Sequence, residues 1–234
     1  MLPVAILMGG MATRLGDITR KIPKALVEIN GEPFLAHQLR LLHSRGIRRA
    51  VLCVGHLGEQ IREYAGHGDR FGIELEYSFD GPTLRGTAGA IHQALPYLGD
   101  AFFVLYGDSY LPIDYARVQH AFEASGKRGL MTVHENHGQW DTSNVEYDDG
   151  RIIDYSKRNL TPRMHYIDYG LGAFRADVFA GLAPGIAKDL AEIYQDLLRE
   201  HQLAGCEIPQ RFYEIGSVAG IEDLARHLRS AHGD

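Results

Sequence analysis

The 234-residue chain has only two cysteines and a single tryptophan, and no apolar run approaches the ~20 residues that would cross a bilayer. Cys53 and Cys206 are too far apart in sequence to suggest a disulfide framework or a zinc ligand set. Cys53 lies in the apolar run 50–54 and reads as a small buried hydrophobe. The twelve histidines show no H-E-x-x-H spacing, which argues against zinc chemistry. There is no basic excess either. The formal charge is −6, which argues against a general binder of nucleic acid or of membrane surfaces. The first eight residues lack a basic stretch and read as a strand rather than a leader peptide, so cytoplasm is the expected location. Proline- or serine-rich linkers, repeats and low-complexity segments are also missing. One domain over residues 1–234 is therefore expected, with a homo-oligomer left open.

What is present alternates. Val4–Met8, Ala50–Val54 and Ala101–Tyr106 are short apolar runs, the pattern of strands covered on both faces. Between them lie helical patterns: one from Pro33 to near Gly46, others over Leu57–Ala65 and Thr87–Leu95, and a fourth starting at Asp114. The second half predicts strands at Asn144–Tyr147, Arg151–Tyr155 and His165–Phe174, with Asp148-Asp149-Gly150 as a hairpin turn. Helices are expected over Asp189–His201 and Ala219–His232. The alternation predicts an α/β fold, a Rossmann-like doubly wound and mostly parallel sheet.

Directly after the first strand stands Gly9-Gly10-Met11-Ala12-Thr13-Arg14-Leu15-Gly16. Glycines let a backbone turn sharply and bring N–H groups up to an anion. Thr13 adds a hydroxyl, Arg14 a forked cation, and Lys24 follows ten residues later, just after Pro23. A phosphate site has its donors, charge and stiff backbone here. The loop is neither a G-x-G-x-x-G dinucleotide fingerprint nor a Walker A loop, which would close in Gly-Lys-Ser/Thr. On residues alone, a plain glycine turn with surface cations stays open.

Together, Gly9 to Leu15 and Pro23-Lys24 resemble the G-G-x-G-T-R-L…P-K opening of the sugar nucleotidyltransferases. Ala12 stands where the family has glycine; if the position needs positive φ, alanine costs on the order of 1 kcal/mol. The likeness covers nearly the whole chain and is strongest over residues 4–35 and 77–109. It implies the nucleotide-diphospho-sugar transferase fold, with Leu7, Gly9, Gly10, Met11, Ala12 and Thr13 contacting a nucleoside triphosphate. Gly86-Thr87-Ala88-Gly89-Ala90-Ile91 is similar to the family's G-T-A/G-G-A-I segment, which implies that Gly86 and Thr87 line the nucleobase pocket. Asp80, just before it, is a candidate reader of a base edge.

Tyr106-Gly107-Asp108 ends the third apolar run. Open α/β sheets bind ligands at such strand ends, and Mg²⁺ takes one or two carboxylates plus phosphate oxygens. The segment resembles the family's G-D metal motif, so Asp108 is the first metal candidate. Tyr213-Glu214-Ile215-Gly216-Ser217 is similar to the family's D-x-G-T/S, with Glu214, one methylene longer, as second metal ligand. Ile153-Asp154-Tyr155-Ser156-Lys157 stands where relatives carry E-K-P; Lys157 matches, while Ser156 and Arg158 do not. Ile167-Asp168-Tyr169-Gly170 resembles I-N-G-G, with Asp168 in place of asparagine and Tyr169 in place of glycine. Lys157, Asp168 and Gly170 are thereby implied in sugar-phosphate binding. Trp140 reads as loop packing rather than a stacking platform.

A sugar 1-phosphate is already an anionic nucleophile, so attack on the α-phosphorus needs positioning and charge neutralisation more than covalent help. The expected catalytic set is Arg14, Lys24 and Asp108, with Mg²⁺ as cofactor. The products would be a nucleoside diphosphate sugar and pyrophosphate. A catalytically silent sugar-nucleotide sensor is the alternative that Ala12, Ser156 and Glu214 raise. A glycosyltransferase would carry D-x-D, which Asp108-Ser109-Tyr110 lacks. Overall similarity leans toward heptose 1-phosphate with GTP, with N-acetylmuramate 1-phosphate uridylylation and the thymidylyl and cytidylyl relatives as close rivals. Arg14→Ala should lose roughly a hundredfold or more in kcat, measured by pyrophosphate release, because it removes ~3–4 kcal/mol of stabilisation of transition-state charge.

Overall fold

In the computed structural model the described residues are 1–10, 21–81, 85–183, 185 and 187–232. Nine strands form one sheet: β1 Val4–Met8, β2 Arg49–Val54, β3 Glu74–Phe79, β4 Ala101–Tyr106, β5 Gly129–Glu135, β6 Val145–Asp148, β7 Arg151–Tyr155, β8 Tyr166–Arg175 and β9 Leu203–Glu207. The main helices are α1 Phe34–Ser44, α2 Gly58–Ala65, α3 Gly86–Leu98, α4 Tyr115–Ser125, α5 Leu190–Arg199 and α6 Val218–His232. Strands β3, β2, β1 and β4 lie side by side and parallel. Strand β8 then runs antiparallel to β4 and, at Tyr166, to β6 along one edge, and antiparallel to β5 along the other. The sheet therefore has a parallel centre and an antiparallel flank supplied by the second half of the chain.

The alternation of side chains along the central strands creates two cores. Val4 and Ile6 face α1, α2 and α4, where Leu39, Ile61 and Val118 are buried. Ala5, Val51 and Val104 face the other way, onto α3 and α5, through Ile91, Ala94 and Tyr194. Covering both faces demands strands apolar throughout, the pattern seen in the sequence. Helix α6 closes a third, smaller core over Phe34, Tyr110 and Ile215.

The expected elements fall close to where the pattern puts them, and the hairpin turn has Asp149 at φ 40° and Gly150 at φ 80°. Asp114 caps α4, accepting the N–H groups of Ala116 (2.9 Å) and Arg117 (3.3 Å). Helix α3 runs on past Pro96 to the buried Leu98. Strands β3, β5 and β9 were not anticipated. In β3 the apolar Leu75, Tyr77 and Phe79 alternate with polar residues, because this strand pairs only with β2. Leu203–Glu207 carries weak strand formers and a glycine; parallel pairing with β5 makes it a strand. Gly205 is required there, since a Cβ would meet the Tyr147 ring at 2.6 Å.

One contact sets the position of the functional edge. Gly107 N–H donates to the Leu7 carbonyl at 3.0 Å, and a Cβ on residue 107 would run into that same oxygen and stand 2.8 Å from Met8 Cγ. Glycine thus lets the tip of β4 close on the tip of β1 and brings Asp108 over the sheet edge. Gly107→Ala should cost ~1–3 kcal/mol by overpacking. At roughly 2–4 °C per kcal/mol for a chain of this size, a thermal melt should fall by several degrees.

Candidate active site

The carboxyl ends of β1 and β4 open onto two adjoining cavities that share Tyr106 and Asp108. Between them Lys24 Nζ lies 2.8 Å from Asp108 Oδ2. Lys24 begins a single helical turn, Lys24–Leu26, that buries Ala25, with Pro23 extended before it. The stiff proline and the buried alanine aim the lysine across the cleft. Both side chains keep some exposure, 21% and 37%, so the pair matters for placement more than for stability.

The first cavity, about 340 Å³, is lined by Leu7, Gly9, Gly10, Lys24, Asp80, Gly86, Thr87 and Asp108. Every described residue expected to touch nucleotide is therefore on one wall or another of it. Met11, Ala12, Thr13 and Arg14 lie outside the described residues. Asp80 is buried at the end of β3, where its Oδ2 leaves no room at Gly9: a Cβ there would come within 2.8 Å. Burial raises the pKa of Asp80, and the Arg85 charge opposes the shift. Cys53 lines the same wall, its thiol pushed up to about 12, by burial first and the Asp80 charge second; it stays a neutral apolar group.

Gly86 and Thr87 have structural work that their sequence did not reveal. Gly86 has φ +67°, and a Cβ would stand 2.6 Å from the Lys188 carbonyl oxygen. Thr87 Oγ1 accepts the Leu190 N–H at 2.6 Å, and Ala88 N–H donates to Lys188 O at 2.9 Å. The small residues thus admit the backbone of 188–190 as well as lining the cavity.

The second cavity is larger, about 820 Å³, and holds Asp108, Lys157, Asp168, Gly170 and Glu214 on its lining. Glu214 sits opposite Ser109 in a two-residue ribbon, and Ile215 N–H donates to Asp108 O at 3.0 Å. This brings both candidate metal carboxylates to one place. Glu214 accepts from Gly216 N–H and from Ser217 Oγ (3.2 Å). Lys157 Nζ contacts Asp189 Oδ1 at 3.3 Å; Asp189 is also the N-cap of α5, in a capping box with Glu192. Asp168 Oδ1 accepts the Gly170 N–H at 3.0 Å, and Tyr106 Oη reaches Oδ2 at 3.4 Å. Burial raises the Asp168 pKa; the Gly170 N–H, the Lys157 charge and the Tyr106 hydroxyl pull it back. Gly170, at φ +99°, sits where the pairing of β8 with β5 slips. Trp140 packs edge-on against Phe212 and under Arg211, whose guanidinium carbon is 4.2 Å from the ring centroid, and it also lines this cavity.

Sequence reasoning missed Asn144, Asp189 and Arg211. Asn144 carried a signal only as a strand start, although it lines the second cavity beside Asp168. Asp189 stood only as the first residue of an expected helix, and its partner Lys157 is 32 residues away. Among the described residues no group of three or more His, Cys, Asp or Glu could hold a metal by itself, and no helix is long and apolar enough to cross a membrane.

The model of the nucleotidyl transferase family matches residues 4–230. A D-glycero-alpha-D-manno-heptose 1-phosphate guanylyltransferase of Campylobacter jejuni is 29% identical over 90% of this chain and 93% of its own length. An N-acetylmuramate alpha-1-phosphate uridylyltransferase of Neisseria meningitidis is 26% identical over 93% of this chain and 94% of its own. The solved structure of HddC from Yersinia pseudotuberculosis superposes with a TM-score of 0.78 at 19% identity, over 97% of this chain and 100% of that one, a likeness of fold.

The raised pKa of Asp80 has a testable sign. The folded protein holds that proton more tightly than the unfolded chain, so the group's contribution is most favourable below the ordinary value of 3.8. It declines as pH rises through the folded value. Asp80→Asn should therefore raise the melting temperature relative to wild type more at pH 7 than at pH 4. An equal difference at both would show that this carboxylate bears no burial cost.

Proposed function

The chain belongs to the nucleotidyl transferase family, and on that premise we propose that it joins a nucleoside triphosphate to a sugar 1-phosphate, releasing pyrophosphate and a nucleoside diphosphate sugar. The observation that carries this reading is the pair of cavities meeting at Asp108 and Tyr106, with Lys24 at the junction. A transfer between two phosphorylated reactants needs a compartment for each and positive charge where they meet.

The positions of the residues support a role for each. The cavity at Gly9, Gly10, Asp80 and Gly86 takes the nucleoside, with its phosphates running toward Lys24. The cavity at Lys157, Asp168 and Gly170 takes the sugar, with its phosphate toward Asp108. Lys24 neutralises the reacting phosphates, and Arg14 holds the triphosphate and the departing pyrophosphate. Lys157, steadied by Asp189, seats the sugar phosphate. Asp108 and Glu214 fit Mg²⁺: two carboxylates on adjoining backbone face one cavity, and that ion takes its remaining ligands from water and phosphate. When bound, the ion would neutralise phosphate charge and orient the oxygens. Residues 1–234 work as one nucleotidyltransferase domain in this reading. GTP with heptose 1-phosphate is the finer pairing, supported by the likeness to the Campylobacter enzyme.

The decisive experiment is a matrix of five nucleoside triphosphates against a panel of sugar 1-phosphates, scored by pyrophosphate release. One pairing should dominate, and Lys24→Ala should reduce its kcat by roughly a hundredfold or more. Nucleotide binding without turnover in any cell of the matrix would instead identify a sensor.

A further inference from the structure

We propose that Asn144 and Asp168 form a donor–acceptor pair that selects sugar 1-phosphates with neutral or cationic ring substituents and rejects those bearing a carboxylate. This deepens the transferase reading and rests on it.

The pair is built by a backbone contact. The Asp168 N–H donates to Asn144 Oδ1 at 3.2 Å, which fixes the orientation of the amide. Asn144 is itself held by its own backbone, whose N–H donates to Tyr166 O (2.9 Å) and whose carbonyl accepts from Ser156 N–H (3.0 Å). Its Nδ2 hydrogens have no partner among the described residues, on a side chain that lines the cavity. On Asp168, Oδ1 is engaged by Gly170 N–H, while Oδ2 has only the long 3.4 Å contact from Tyr106. An amide donor and a carboxylate acceptor thus stand side by side with capacity left. Hydroxyls on neighbouring ring carbons supply the complement, one accepting and one donating.

Charge decides what else can enter. The cavity lining carries five carboxylates against three cations. Each of those cations already has an acidic partner: Lys157 has Asp189, while Arg211 and Arg226 share Asp223. Asp168 has no ion-pair partner among the described residues, and burial disfavours its charge. A substrate carboxylate brought beside it would be a second desolvated anion competing for the one nearby cation, Lys157, which Asp189 already pairs, whereas a hydroxyl or an ammonium relieves the first.

The test uses the full chain with Mg²⁺ and the best triphosphate from the matrix. Substrates are matched pairs of 1-phosphates: glucose and glucuronate, mannose and mannuronate, galactose and galacturonate, N-acetylglucosamine and N-acetylmuramate, together with a neutral heptose. The expected result is that the best substrate is uncharged on the ring, and that in any active pair the acidic member has at least about tenfold lower kcat/KM. Asp168→Asn and Asn144→Ala should each raise KM for the best sugar phosphate about tenfold while KM for the triphosphate moves less than twofold. Asn144→Ser serves if the alanine variant does not fold. An acidic sugar as best substrate, or both variants leaving the sugar KM unchanged, overturns the proposal while leaving the transferase reading intact. No turnover of any sugar overturns that reading as well.

Discussion

Two phosphorylated molecules repel each other, and this structure answers that constraint with one ion pair placed at one edge. Lys24 and Asp108 are 84 residues apart in sequence and 2.8 Å apart in space. The distance depends on the parallel pairing of β1 and β4, on Gly107 letting their tips close, and on the single turn that aims Lys24 inward. Without reactants, the ammonium and the carboxylate satisfy one another. Phosphates arriving on the lysine side and a cation arriving on the carboxylate side would each find a partner already charged and positioned. The arrangement limits the reorganisation that binding must supply.

The two cavities are coupled through backbone as well as through that pair. Residues 85–88 at the start of α3 exchange hydrogen bonds with residues 188–190 at the start of α5. Asp189, in the middle of this contact, reaches Lys157 on the sugar side. A displacement of the α3 start is therefore felt at the cation proposed to hold the sugar phosphate. Both helix starts also lie in the same core, over Ala88, Leu190 and Tyr194, which makes them a stiff unit.

The departures from the family pattern concentrate on the sugar side. Asp168 replaces an amide by a carboxylate, and Tyr169 adds a ring that packs at 5.7 Å from Phe212, away from any demand for a glycine. Ser156 does not leave a gap: its hydroxyl accepts the N–H groups of Arg158 (3.2 Å) and Asn159 (2.8 Å), holding the turn after Lys157. Asp168 and Tyr169 line the cavity proposed for the sugar, while Lys24 and Asp108 keep the residues of the pattern.

Much of the fold was legible because covering a sheet on both faces forces continuous apolar runs, and Val4–Met8, Ala50–Val54 and Ala101–Tyr106 show them. Lys24 and Asp108 stood out in the sequence as residue types that suit phosphates and a hard cation, and the structure brings the two together. Strands β3 and β9 were not legible, because an edge strand needs only one apolar face and Gly205 serves a neighbour's ring rather than its own strand. Gly86 and Thr87 read as pocket residues; only packing showed that they also admit residues 188–190. Asn144 and Asp189 carry no motif. Their roles come from contacts made across 24 and 32 residues, and sequence spacing holds no record of which distant backbone a side chain will meet. Local chemistry is written in the order of residues, while partnership between distant groups exists only once the sheet has closed.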